Sequence, residues 1–169
     1  MTYGNTSGWA ARRFLTSITP AATAARVPPV TAPFQAPVGG MGESAVPMIS
    51  DGGTFKVPVT INGQLTLNFV IDSGASDVSI PADVVLTLWR TGTITEADFQ
   101  GKQTYQMADG STVPSQRFVI RSLKVGDKVS ENVTGSIAPL AGSLLLGQSF
   151  LTGFKSWSID NQRQALILN

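Results

Sequence analysis

From Gly53 onward apolar and polar residues alternate. Phe55, Val57, Val59 and Ile61 are separated by Lys56, Pro58 and Thr60, the period of a half-buried strand. Pro58 marks an edge or a bulge. Asn62-Gly63 is the strongest short hairpin signal, and Leu65, Leu67, Phe69 and Ile71 supply the returning strand. Val78 and Ile80 alternate again. Pro81 then opens a short helix through Ala82 to Leu88, with proline in its first turn, and Thr91-Gly92 ends it. Thr95 to Phe99 predicts one more helical turn. Lys102 to Met107 and Thr112 to Ile120 flank Ala108-Asp109-Gly110-Ser111, so Asp-Gly forms a hairpin tip. Its flanks are polar (Gln103, Gln106, Ser115, Gln116), which makes this hairpin project from the body. Leu123 and Val125, Gly126-Asp127, then Val129 and Val133 predict a third hairpin. After a loop over Ala138 to Ser143, Leu144-Leu145-Leu146-Gly147 is a second buried run ending at glycine. Gln148 to Leu151 reads as a short helix closed by Gly153, and Trp157 to Leu168 as a last hairpin turning at Asp160-Asn161.

Repeated hairpins at short spacing predict an all-β barrel or sandwich. A unit of hairpin, buried strand, glycine turn and short helix occurs twice, once through Asn62-Gly63, Phe69 to Gly74 and Pro81, and again through Gly126-Asp127, Leu144 to Gly147 and Phe150. Internal repetition of this kind constrains the architecture.

Residues 1–50 break the pattern. They hold six of the ten prolines and nine alanines but only four charges, and no amphipathic period is sustained. Val27-Pro28-Pro29-Val30 and Ala32-Pro33 favour extended backbone, and Gly39-Gly40-Met41-Gly42 adds flexibility. We read residues 1–50 as a disordered leader or linker and residues 51–169 as one domain. Arg12-Arg13-Phe14-Leu15 before a thin Thr/Ala stretch loosely resembles a twin-arginine export start, so cytoplasm and periplasm both stay open. A pro-segment removed by self-cleavage is a further alternative.

Composition narrows the chemistry. The 169 residues carry a net charge of +1, which gives no electrostatic case for nucleic acid or an anionic membrane. No apolar run approaches the roughly 20 residues of a transmembrane helix. The chain has no Cys and no His, so Ser-His-Asp and Cys-His nucleophile systems are excluded within it, as are zinc sites built on those ligands. Carboxylates, Lys and Tyr remain as acid/base groups, and no metal or cofactor is called for.

One stretch then stands out. Phe69-Val70-Ile71 runs directly into Asp72, followed by Ser73-Gly74-Ala75-Ser76. A carboxylate at the end of a buried strand is costly unless donors surround it, and Ser73, Ser76 and the amides of a glycine turn are available as donors. The same residues also fit an ordinary Asx or Ser turn after a strand.

Ile71-Asp72-Ser73-Gly74-Ala75-Ser76, the projecting Ala108-Asp109-Gly110-Ser111 hairpin, and Leu145-Leu146-Gly147 before a short helix together resemble the retropepsin-like aspartic proteases, closest to their single-domain bacterial members, over residues 53–168. The resemblance implies an all-β fold: a small closed acid-protease barrel of antiparallel hairpins with one or two short helices, acting as a homodimer on a polypeptide substrate. It implies peptide-bond hydrolysis by a pair of Asp72 residues, one from each subunit, that share a proton and activate water. Two close carboxylates cannot both ionise easily, so the pair supplies an acid and a base at one pH. The remaining aspartates lack the strand-then-Ser-Gly context, so the second Asp72 comes from a second copy across a two-fold axis. Carried over by motif, Ser73 locks the two catalytic loops across the axis. Gly74 lets backbone amides approach the carboxylate, Ala75 belongs to the same supporting loop, and Ser76 hydrogen-bonds the outer carboxylate oxygen. Met107, Ala108, Asp109, Gly110 and Ser111 form a flap over substrate. Leu146 and Gly147 pack beneath the catalytic loop.

The chain departs from the viral pattern in three places. Gln148 stands where those enzymes place an arginine, which removes an ionic contact. Trp89 to Lys102 is an insertion, placed to cover the site or reshape the flap. The final strand either joins an intermolecular sheet or folds back through Asp160-Asn161, and the sequence favours the second. A peptide-binding or assembly module with little turnover is the alternative function; a Ser-Lys hydrolase lacks any strand presenting a Ser beside a Lys.

Overall fold

The computed structural model describes residues 42–169, so the expectations for Arg12-Arg13 and for the leader as far as residue 41 lie outside the described residues. β1 (Ser44–Pro47) and β2 (Ile49–Asp51) begin the β structure. Ordered pairing therefore starts inside the segment assigned to the leader. Val46 is buried, and β1 runs antiparallel to β11 (Ala165–Leu168), with Ser44 opposite Leu168. The proline-rich composition around this short strand concealed it. Ser44 anchors it further by donating to the Asp127 carboxylate.

β3 (Thr54–Ile61) and β4 (Leu65–Ile71) form the first hairpin, turning where Asn62 and Gly63 hold φ of 47° and 67°. Along its second edge β3 pairs with β2 at residues 54–56 and with β7 (Thr112–Val125) at 59–61. Pro58 sits in the gap between these partners, where a missing N–H costs no ladder bond on that edge. β5 (Val78–Pro81) leads into α1 (Ala82–Arg90), with Pro81 as the N-cap residue rather than within the first turn. β6 (Phe99–Gln106) and β7 make the long hairpin, and β7 continues without a break into the next hairpin with β8 (Lys128–Ala138). β9 (Leu145–Leu146), α2 (Gln148–Leu151), β10 (Trp157–Asp160) and β11 complete the chain.

The larger sheet runs β2-β3-β4-β9-β5-β8-β7-β6, with an additional pairing between β3 and β7. Antiparallel hairpins do not account for all of it: β4 pairs with β9, and β5 with β8, in parallel. The repeat explains this. The buried strand of each unit lies beside the other's, Val70 opposite Leu145 and Ile71 opposite Leu146, which brings the two glycine turns together. Phe69, Ile61, Phe118, Leu123, Leu146 and Phe150 fill the interior with no exposure above 0%. β11 sits between β1 and β10 in a separate three-stranded sheet, so the final strand folds back within its own chain.

The segment after α1 does not cover the site. Ile94 is buried, and a 3-10 turn at Glu96–Asp98 places Asp98 against Arg121 of β7, whose Nη2 also donates to the Thr93 carbonyl at 2.7 Å. Burial alone would raise the Asp98 pKa, but hydrogen bonds from Arg121 and Thr95 outweigh it and hold the carboxyl below its ordinary value of 3.8. Replacing Arg121 with Ala strands this buried anion, and we expect a loss of about 1–3 kcal/mol, measured as a lower urea midpoint. The loss should shrink when Asp98 is also Ala; equal losses in both backgrounds would contradict the pairing.

Acid sensitivity follows from the same geometry. The Ser44 hydroxyl lowers the pKa of Asp127, and Asp98 is lowered as above. Each therefore contributes stability in full above the unfolded-chain value, and loses it as pH falls through the lower folded value. Thermal midpoints should hold steady down to about pH 4 and fall below it. Asp98→Asn and Asp127→Asn should each flatten that fall.

Candidate active site

Asp72 follows the last residue of β4, and its amide donates to the Leu146 carbonyl at 3.2 Å. The chain then turns tightly. The Gly74 amide donates to Asp72 Oδ1 at 2.8 Å, and a side chain at Gly74 would place its Cβ 3.2 Å from the same oxygen. The glycine therefore lets an amide reach the carboxylate, as the motif implies. Among the described residues no other hydrogen bond reaches this carboxylate. The Ser76 hydroxyl does not bind it; Ser76 is exposed, and its carbonyl instead accepts from the Ser149 amide at 2.9 Å. The Ser73 hydroxyl has no partner among the described residues.

The second glycine turn clamps this loop from below. The Gln148 amide donates to the Ala75 carbonyl at 2.8 Å, and the Gln148 side-chain Nε2 donates to the Ser73 carbonyl at 2.8 Å. Where an ionic contact was expected to be missing, a neutral hydrogen bond between the two turns stands instead. Ser149 Oγ accepts from the Val78 amide at 2.9 Å and donates to the Thr134 carbonyl at 2.7 Å, tying β5 to β8. Gly147 is required by space: a Cβ there would lie 2.3 Å from the Asp77 carbonyl oxygen and 2.7 Å from that of Ala75.

A cavity of about 790 Å³ opens above the loop, with Asp72, Gly74, Ala75 and Ser76 on one wall and Met107 and Ala108 of the β6–β7 turn on another. Asp109, Gly110 and Ser111 are not part of its lining and are exposed. The Asp109 carboxylate is turned onto the tip itself, accepting from the Ser111 amide at 2.9 Å and hydroxyl at 2.6 Å, bonds that lower its pKa. Of the expected flap residues, Met107 and Ala108 thus face the site and the next three form the turn.

Three ionisable lining residues were missed: Asp77, Tyr105 and Arg117. Asp77 is buried, accepts from the Tyr105 phenol, and lies 3.1 Å from Arg117 Nε. Burial, then the hydrogen bond to Asp77 and its charge, push the Tyr105 phenol up to about 12. Asp77 was set aside because no apolar strand precedes it. The available signal was Tyr105, an aromatic residue within the mostly polar β6.

A family model described as "gag-polyprotein putative aspartyl protease" matches residues 57–153, more than half of the chain. Among solved structures, the chain is similar to a retropepsin-like aspartic protease from Rickettsia conorii, at 24% identity and a TM-score of 0.56, over 75% of this chain and 90% of that one. A search of curated proteins finds no match. No helix among the described residues is long and apolar enough to cross a membrane.

Proposed function

Because the chain belongs to the retropepsin-like, gag-type family of aspartyl proteases, we propose that it is an aspartic endopeptidase whose site is completed by a second copy of itself. One observation carries the reading. Asp72 lines the cavity with its Oδ1 held by the Gly74 amide, and among the described residues it has no ion-pair partner. The other carboxylate in the cavity lining, Asp77, is already engaged by Tyr105 and Arg117. On this reading the second catalytic carboxylate is Asp72 of another copy, which a two-fold axis through the loop supplies without further constraint.

In that arrangement a small closed barrel from each subunit contributes one loop and one flap. The two Asp72 carboxyls share one proton. The ionised member takes a proton from a bound water, whose oxygen adds to the peptide carbonyl carbon. The protonated member gives its proton to the carbonyl oxygen. Collapse of the tetrahedral species, with a proton delivered to the amide nitrogen, breaks the C–N bond and restores the shared proton. Ser73, exposed and without a hydroxyl partner among the described residues, is placed for a contact across the axis on this reading. Met107 and Ala108 close over the peptide and exclude water.

The test is digestion of an unfolded polypeptide between about pH 4 and pH 7, followed by mass spectrometry of the fragments. Defined internal cleavages are expected. Tight peptide binding without any cleavage across that range would replace this reading with a binding module.

A further inference from the structure

Asp77 is a buried charge that the acid pair does not use. Three elements converge on it: Tyr105 from β6, Arg117 from β7, and the end of the catalytic loop itself. The Tyr105 phenol donates to Oδ2; Arg117 places Nε 3.1 Å from Oδ2 and Nη2 3.5 Å from Oδ1. The exposure of the two charges is unequal. The Asp77 side chain is 8% exposed and the Arg117 side chain 33%. The anion is covered and engaged, while the cation reaches the cavity that it lines.

A donor inventory sharpens this. A guanidinium has five N–H groups; one N–H of Nη2 donates to Asp77, while the buried Nε, though 3.1 Å from Oδ2, makes no hydrogen bond. Among the described residues no other acceptor meets the Arg117 side chain. The remaining donors lie at the edge of a partly desolvated site, where an unfilled donor on a charged group is costly. Their planar fork fits a carboxylate in two-point contact. A lysine-bearing peptide finds no free acceptor at this position, because the Asp77 carboxylate is already engaged by Tyr105 and Arg117.

We infer that Arg117 is a specificity-determining residue that selects an Asp or Glu side chain on the bound polypeptide. Asp77 and Tyr105 are positioning residues that hold its guanidinium against the cavity wall. This rests on the reading of the cavity as a peptide site. In a two-subunit site Arg117 occurs twice, related by the axis that relates the two Asp72 residues, so the acidic preference recurs on both sides of the cleaved bond. The Tyr105 phenol keeps its proton throughout the neutral range and stays a donor to Asp77.

Binding and cleavage separate the outcomes. Immobilised Asp72→Asn protein is exposed to a library of short random peptides, and the retained peptides are sequenced. Asp and Glu should be enriched over Asn and Gln by about ten-fold at one or more positions, the value of one charge-assisted hydrogen bond. Arg117→Gln, added to Asp72→Asn, should abolish the enrichment. Arg117→Lys should reduce it, as should Tyr105→Phe, which leaves the arginine in place but unbraced. The Lys and Phe variants keep the test decisive should Arg117→Gln not fold. Retention of no peptides, retention without acidic enrichment, or enrichment that survives in folded Arg117 variants overturns the proposal. Wild-type protein digests the same library in parallel. Acid-selective binding without cleavage would sink the hydrolase reading and leave the subsite standing; cleavage without acidic preference would do the reverse.

Discussion

Asp72→Asn is expected to lower peptide hydrolysis by about 10²–10⁴-fold, the usual contribution of a positioned acid or base, with the fold unchanged. The substitution is nearly isosteric. Its carbonyl oxygen still accepts from the Gly74 amide, so the 2.8 Å contact that shapes the turn is kept. Only proton exchange is lost, and the neutral amide cannot take the proton from water. The checks are kcat/KM on a peptide and a thermal midpoint measured beside it. Mixing adds a second readout. Excess Asp72→Asn protein titrated into wild type should depress activity beyond dilution, because each mixed pair holds one carboxylate. Hydrolysis near the wild-type level in the variant would remove Asp72 from the mechanism. Full additivity on mixing would leave Asp72 in place but break the two-subunit site.

Gly147→Ala should be the most damaging glycine-to-alanine change among the described residues. The added carbon would meet backbone, not a flexible side chain: the Asp77 carbonyl oxygen at 2.3 Å and that of Ala75 at 2.7 Å. Neither oxygen can retreat cheaply, since the Ala75 carbonyl is held by the Gln148 amide at 2.8 Å and Val78 next to Asp77 by Ser149. Overpacking of this kind costs about 1–3 kcal/mol and sometimes more. Relief requires the catalytic loop to lift away from α2, carrying Asp72 out of register. We expect both a lower unfolding midpoint and a loss of hydrolysis that persists well below that midpoint. Gly153→Ala is the control, since its Cβ would come no closer than 3.2 Å to the Phe150 carbonyl oxygen. Equal effects from the two changes would remove the clamp from the argument.

The hairpins were legible because each is encoded locally. Asn62-Gly63, Asp109-Gly110 and Gly126-Asp127 are turn signals between alternating runs, and each ends a strand where expected. Asp72 and Gly74 were legible for the same reason, since their contact spans two residues. What escaped depends on chain segments meeting at a distance. Nothing near Ser44 reveals that Leu168 will pair with it, and the proline-rich composition around β1 argued the other way. Asp77 meets Arg117 across forty positions, with no local pattern at either end. Ser76 was assigned to the carboxylate by motif, but the amide of Ser149 holds the Ser76 backbone, and the Ser76 hydroxyl makes no hydrogen bond to Asp72. The insertion after α1 was assigned near the site because its anchor, Arg121, lies 23 residues away on β7.

β11 has a consequence for regulation. Its Leu166 and Leu168 are fully buried, and both of its edges are already taken by β1 and β10 of the same chain. Burying side chains of this size contributes about 1.5–3 kcal/mol each, and all of it is gained before any second copy arrives. In the proposed two-subunit site, folding and assembly would thereby be uncoupled. A protomer would accumulate in finished but latent form, its output would scale with the square of its concentration at low dose, and local crowding of copies would turn hydrolysis on.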